Sequence, residues 1–202
     1  LAARVRTVAL RPRIIAEIKR PYAGTETEYC QIDVLGVSDD ARRVERWDGR
    51  NWTRIFENEP HLPGRDHALE RIDRSALAQF PAVMSASGLK WDYAYSRWSV
   101  RMTKKFPETF VPFLKSIPPG ATIELRGELA SFQNAEVAGK IRLNAVEAGI
   151  DWFDLSVLVD ISDATLTKEE IKLLLDAKGK WVRLGGKGWR RLELDRKSTR
   201  LN

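Results

Sequence analysis

Gly149-Ile-Asp-Trp-Phe-Asp-Leu-Ser-Val-Leu-Val-Asp-Ile161 is the stretch on which the fold reading turns. Phe153, Leu155, Val157, Val159 and Ile161 alternate with Asp154, Ser156 and Asp160, and Leu158 is the one exception. Side chains alternate faces along an extended chain, so this is a half-buried β-strand. The period then changes. Thr167 is followed three places on by Glu170, the spacing of a capping box at a helix start. Ile171, Leu174 and Leu175 repeat at helical spacing, and Gly179 stands where a helix end favours positive φ. Trp181–Leu184 and Trp189–Leu194 flank the glycine-rich Gly185-Gly-Lys-Gly188, which reads as a β-hairpin. The C-terminal unit is therefore predicted as strand, short helix, hairpin.

Upstream, Val8 to Ile18 is strand-like but contains Pro12, which has no N–H for a sheet ladder. An edge strand, or one that begins after Pro12, is expected. Ala23-Gly24 turns the chain, and Tyr29 to Val37 is a second strand. Arg43–Trp47 and Asn51–Phe56 surround Asp48-Gly49, a strong hairpin signal, so residues 1–56 read as a β-meander. Leu69, Ile72, Ala76, Leu77 and Phe80 predict a helix over 65–79, ended by Pro81. Leu89 to Met102 reads as two strands about a turn at 93–96. A helix over 104–116 carries Phe106, Phe110 and Phe113, with Pro112 expected to kink it or delay its start. Thr122–Arg126 and Glu136–Val146 are strand-like. The fold class is α+β: antiparallel sheets with a few helices, in a β-rich part (1–148) and the strand–helix–hairpin unit (149–195), meeting near 147–150.

At 202 residues and 43% hydrophobic the chain can bury one or two cores. A charged fraction of 31% and a mean hydropathy of -0.37 suit a soluble, cytoplasmic protein, and no apolar run has the ~18 residues of a membrane span. No signal segment opens the chain. A single cysteine, Cys30, precludes an internal disulfide. The net charge of +6 is uneven: residues 178–202 hold nine Lys/Arg and two acids, against 25 basic and 26 acidic residues before them. Arg196-Lys-Ser-Thr-Arg-Leu-Asn202 resembles translated sequencing-adapter read-through and is expected to take no part in the fold. The first residue is Leu, consistent with a start inside a longer chain.

The Gly149–Leu155 run, the Leu166-Thr-Lys-Glu-Glu-Ile171 helix start, Lys180–Leu184 and Trp189–Leu192 together resemble the segment just upstream of the motor in bacterial Swi/Snf-family helicases. The likeness covers about 149–195 and extends more weakly back to Val8. It implies a parent that is an ATP-dependent DNA translocase using ATP and Mg, of which this chain is part of the helicase-associated region. Its partners would be the downstream motor of the same polypeptide and DNA, with no membrane. The catalytic residues of such a parent would lie beyond Asp195.

The chain's own chemistry agrees with a non-catalytic role. No G-x-x-x-x-G-K-[ST] loop occurs; Leu184-Gly-Gly-Lys-Gly188 lacks the spacing and the hydroxyl, and reads as a hairpin turn. His61 and His67 have no partners at zinc spacing. Cys30 reads as a small buried hydrophobe. Asp154 and Asp160 lie on one strand face, but about 20 Å apart by strand rise, too far for an acid–base pair. No cofactor or metal site is expected in the chain. The seven tryptophans admit two readings. Aromatics stack bases and arginines hold phosphates; equally, tryptophans fill small sheet cores with arginines laid over them. Core is the leading reading for most of them. The hairpin remains open between the two, and Lys180, Trp181, Arg183, Lys187, Trp189, Arg190 and Arg191 are the candidate nucleic-acid-binding residues.

Overall fold

Strand β1 (Val5–Lys19) runs unbroken through Pro12 and is a central strand of an eight-stranded sheet, not an edge. The structure, a computed structural model, describes residues 5–20, 26–55, 69–133, 137–147, 153–163 and 165–195. On one side β1 pairs antiparallel with β2 (Tyr29–Ser38); on the other it meets two short parallel strands, Leu69–Asp73 at residues 5–9 and Thr122–Leu125 at residues 13–16. The Ala16 carbonyl accepts from Arg126 N on that second side. Backbone groups alternate sides along a strand, so Pro12, four residues earlier, presents its missing donor to the same edge. There it falls in the gap between the two parallel partners and costs no ladder bond.

The meander is as expected. β2 pairs with β3 (Val44–Trp47) and β3 with β4 (Trp52–Arg54). Asp48 Oδ1 accepts from the amides of Arg50 and Asn51, both at 2.8 Å, and Gly49 takes φ +97, which favours glycine. The helix expected over 65–79 is a correction. Residues 56–68 lie outside the described residues, His61 and His67 among them. Leu69–Asp73 is strand β5, followed by a 3-10 turn at Ser75–Leu77. Two apolar residues three apart fit a strand and a helix almost equally over five residues, and the open edge of β1 decides between them. Pro81 likewise begins a helix instead of ending one: α1 spans Phe80–Ala86 with the proline in its first turn, where an N–H is dispensable.

β6 (Lys90–Asp92) and β7 (Arg97–Arg101) form the expected pair, and β7 adds to β2. α2 (Phe106–Ser116) starts two residues later than the pattern suggests and keeps Pro112 inside it. Phe80, Met84, Phe106, Phe110 and Phe113 are buried, as are Ile14, Ala16, Ile32 and Val34 of β1 and β2. Each large side chain of this kind contributes about 1.5–3 kcal/mol when removed from water. Cys30 is fully buried, which pushes its thiol pKa up and makes it inert. Thr122–Leu125 is β8.

Two units are distinguished, 1–126 and 127–202. The division thus comes earlier than residues 147–150, because β9 (Val137–Glu147) belongs to the second sheet: it pairs antiparallel with β10 (Phe153–Ile161), from Phe153↔Glu147 to Ile161↔Gly139. The backbone of the strand predicted over 149–161 is therefore present from Phe153, while the expected alternation of its side chains lies mostly outside the described residues. α3 (Lys168–Asp176) opens with the complete capping box: Thr167 Oγ1 accepts from Glu170 N at 3.2 Å, and the Glu170 carboxylate accepts from Thr167 N at 2.7 Å. It ends on two left-handed residues, Lys178 and Gly179. β11 (Val182–Leu184) and β12 (Gly188–Asp195) form the hairpin, and β12 runs parallel to β9, giving the order β10-β9-β12-β11. Ile141, Leu174, Leu184 and Leu192 are the core between helix and sheet. The class is α+β, with three parallel pairings among the antiparallel ones.

Candidate nucleic-acid interface

The hairpin turn positions the candidate residues. Lys187 N donates to the Leu184 carbonyl at 3.0 Å, and Gly186 and Gly188 take positive φ. This closes the chain over itself and makes the glycine run a turn, not a phosphate cradle. Gly188 also lies so close to a 3-10 helix at Gly127–Phe132 that a Cβ there would sit 2.6 Å from the Glu128 carbonyl oxygen. Ser131 Oγ accepts from Trp189 N at 2.9 Å, fastening hairpin to helix.

Most of the predicted cations are committed to carboxylates of the same unit. Arg183 Nε donates to Glu128 Oε2 at 2.6 Å. Lys187 Nζ donates to Glu170 Oε2 at 2.6 Å and to the Thr165 carbonyl at 2.7 Å. Arg190 Nε donates to Asp163 Oδ2 at 3.2 Å. Lys187 and the Thr167 amide hold the Glu170 carboxyl below its usual range, and hydrogen bonds from Thr165 and Arg190 do the same for Asp163. Residues 127–195 hold ten basic and twelve acidic side chains, so this span is net negative although its last stretch is basic.

The aromatics are committed too. Trp189 is 3% exposed and stacks in a cluster with Phe132 and Trp181, ring centroids 5.9 and 5.2 Å from Phe132. Arg191 lies over the Trp181 ring at 5.2 Å, as a cation–π lid. Lys180, exposed, has no ion pair among the described residues. A polar cleft of about 280 Å³ beside the turn is lined by Glu128, Ser131, Gly186, Lys187 and Arg190, whose charges are already paired with Arg183, Glu170 and Asp163. The structure thus brings all seven residues onto one hairpin but leaves mainly Lys180 facing outward as an uncommitted charge.

The other tryptophans fall in the sheet core. Trp47 and Trp98 are buried, Trp98 Nε1 donates to the Trp47 carbonyl at 3.1 Å, and Trp52 and Trp91 pack on them. Trp152 lies outside the described residues. Among the described residues, no group of three or more His, Cys, Asp or Glu is placed to hold a metal, and no helix is long and apolar enough to cross a membrane. Comparison with family models, with curated proteins and with solved structures finds no match. Sequence reasoning did not group the acids Glu128, Asp163 and Glu170 with the hairpin. Only Glu170 had a local signal, its place in the capping box.

Proposed function

We propose that this chain is a non-catalytic accessory segment of a bacterial Swi/Snf-family ATP-dependent DNA translocase, a folded platform that positions the motor or contacts DNA. The observation that carries the reading is the resemblance of the run Gly149–Leu192 to the segment preceding such motors; over 153–192 this run folds as strand, capped helix and hairpin. ATP and Mg would be bound by the motor and not by these residues. The ion pairs of Arg183, Lys187 and Arg190 speak for a hairpin that builds the platform, and against a self-standing DNA clamp made of Trp181, Trp189 and their basic neighbours.

The test is the flanking genomic DNA. The reading frame is expected to continue past Asp195 into a G-x-x-x-x-G-K-[ST] loop within about a few hundred residues, the length scale of one or two domains. A natural stop codon directly after the hairpin would overturn the proposal. So would ATP hydrolysis by the purified chain alone.

A further inference from the structure

The large sheet carries a charged array that no single stretch of sequence displays. Strand alternation and register place Arg13, Glu17 and Lys19 of β1 on the same face as Asp33 of β2, Arg46 of β3, Arg97 of β7 and Glu124 of β8. The ion pairs confirm the juxtaposition. Glu17 is shared by Lys19 at 3.1 Å, Arg97 at 2.8 Å and Arg126 at 3.7 Å. Asp33 is shared by Arg46 at 2.9 Å and Arg97 at 3.4 Å. Glu124 is shared by Arg13 at 2.6 Å and Arg126 at 2.7 Å.

Five cations thus converge on three carboxylates. Lys90 and Arg101, opposite Ser99 and Tyr29, extend the array; both are exposed and have no ion pair among the described residues. Asp92, the fourth acid on this face, accepts from the amides of Ala94 and Tyr95. Residues 1–126 as a whole hold 21 basic and 16 acidic side chains, so the positive excess of the chain resides here and not in the hairpin unit.

We propose that this face docks the phosphate backbone of a nucleic acid, without regard to base sequence. A guanidinium offers five N–H donors, and a carboxylate shared between two or three cations uses only some of them. Arg13, Arg97 and Arg126 keep 42%, 29% and 48% of their side chains exposed, and the open part of each planar fork matches phosphate oxygens. The shared carboxylates hold neighbouring arginines in fixed positions, so little side-chain entropy remains to be lost on binding. A membrane surface fits less well. Interfacial binders insert Trp, Phe or Leu among their cations, whereas among the described residues the exposed large apolar side chains of this sheet, Val5, Leu69 and Tyr93, stand at the far end of β1 and in the β6–β7 turn, not between the cations. The assignment rests on the sheet's own charge and stands or falls independently of a downstream motor.

The experiment is fluorescence anisotropy of a labelled DNA duplex titrated with the full chain at salt concentrations from about 50 to 200 mM. The parent is expected to bind with strong salt dependence. The double variant Lys90→Gln/Arg101→Gln, which breaks no ion pair seen in the structure, should weaken binding and flatten the log K against log salt slope by about 1.8, two phosphate contacts at ~0.9 each. Lys90→Arg/Arg101→Lys should keep the slope. Arg126→Gln, from the middle of the array, should also flatten it. Lys178→Gln/Lys180→Gln, at the hairpin, should behave as the parent. The proposal is overturned by absence of salt-dependent binding, by an unchanged slope in Lys90→Gln/Arg101→Gln, by loss confined to the hairpin variant, or by capture only on vesicles of anionic lipid.

Discussion

Glu45 offers the sharpest test of how the large sheet is held together. Its side chain is 1% exposed, and two arginines from different segments grip it. Arg74, just before the 3-10 turn, donates from Nε at 2.6 Å and Nη2 at 3.0 Å; Arg43, just before β3, donates from Nε at 2.9 Å. Glu45→Gln keeps the volume but leaves two guanidiniums around a neutral amide, one end of which is itself a donor. Removing one partner of a buried pair costs ~3–5 kcal/mol. Because Arg74 is 42% exposed and can rehydrate, the low end, about 3 kcal/mol, is expected. In urea, with a slope of about 2 kcal/mol/M, the midpoint should fall by about 1.5 M. The pH dependence has a definite sign. Burial disfavours the ionised carboxylate, but hydrogen bonds from Arg74 and Arg43 outweigh it and hold the Glu45 pKa below the ordinary 4.5. A group depressed on folding stabilises the protein above its unfolded pKa, and that contribution is lost as pH falls through the folded value. The gap between parent and Glu45→Gln should therefore be full at pH 7 and close as the solution is acidified below 4.5. Urea titrations from pH 7 downward measure it. A midpoint shift under about 0.3 M at pH 7, or a gap that does not change on acidification, would refute the reasoning.

Gly139→Ala should destabilise strongly, by about 2 kcal/mol or more, because the new Cβ would collide with the Asp160 backbone carbonyl on β10. Gly36→Ala should cost less, about 1 kcal/mol, since the atom it meets is the end of the Leu77 side chain, which can turn aside; equal losses for the two in chemical denaturation would contradict this. Thr167→Ala should cost about 1 kcal/mol by removing the cap of α3, and Thr167→Ser should restore it. Trp189→Ala should lower stability by about 3–5 kcal/mol, as a buried ring does, whereas a base-stacking tryptophan would leave the melting temperature unchanged.

What was legible in the sequence was local. The Thr167/Glu170 cap, the Asp48-Gly49 hairpin, the glycine turn at 185–188 and the β10 backbone each depend on residues a few positions apart, and the structure has them all. The failures involve distant partners. Leu69–Asp73 became a strand because β1 offered an edge, and Pro12 was admitted to a central strand because two short neighbours leave a gap beside it. The same holds for the candidate interface. Trp181 and Arg191 could be seen to share a hairpin, but not that the ring and the guanidinium would close on each other.

The sequence by itself determined the α+β class, the C-terminal strand–helix–hairpin order and the list of cations. Tertiary structure alone decided which of those cations meet a carboxylate. Glu128 reaches Arg183 across 55 positions, and Glu17 reaches Arg97 across 80. Net charge is a sum over residues, but the charge a surface presents depends on which opposite charges folding places within about 4 Å, and chain separation carries no information about that distance.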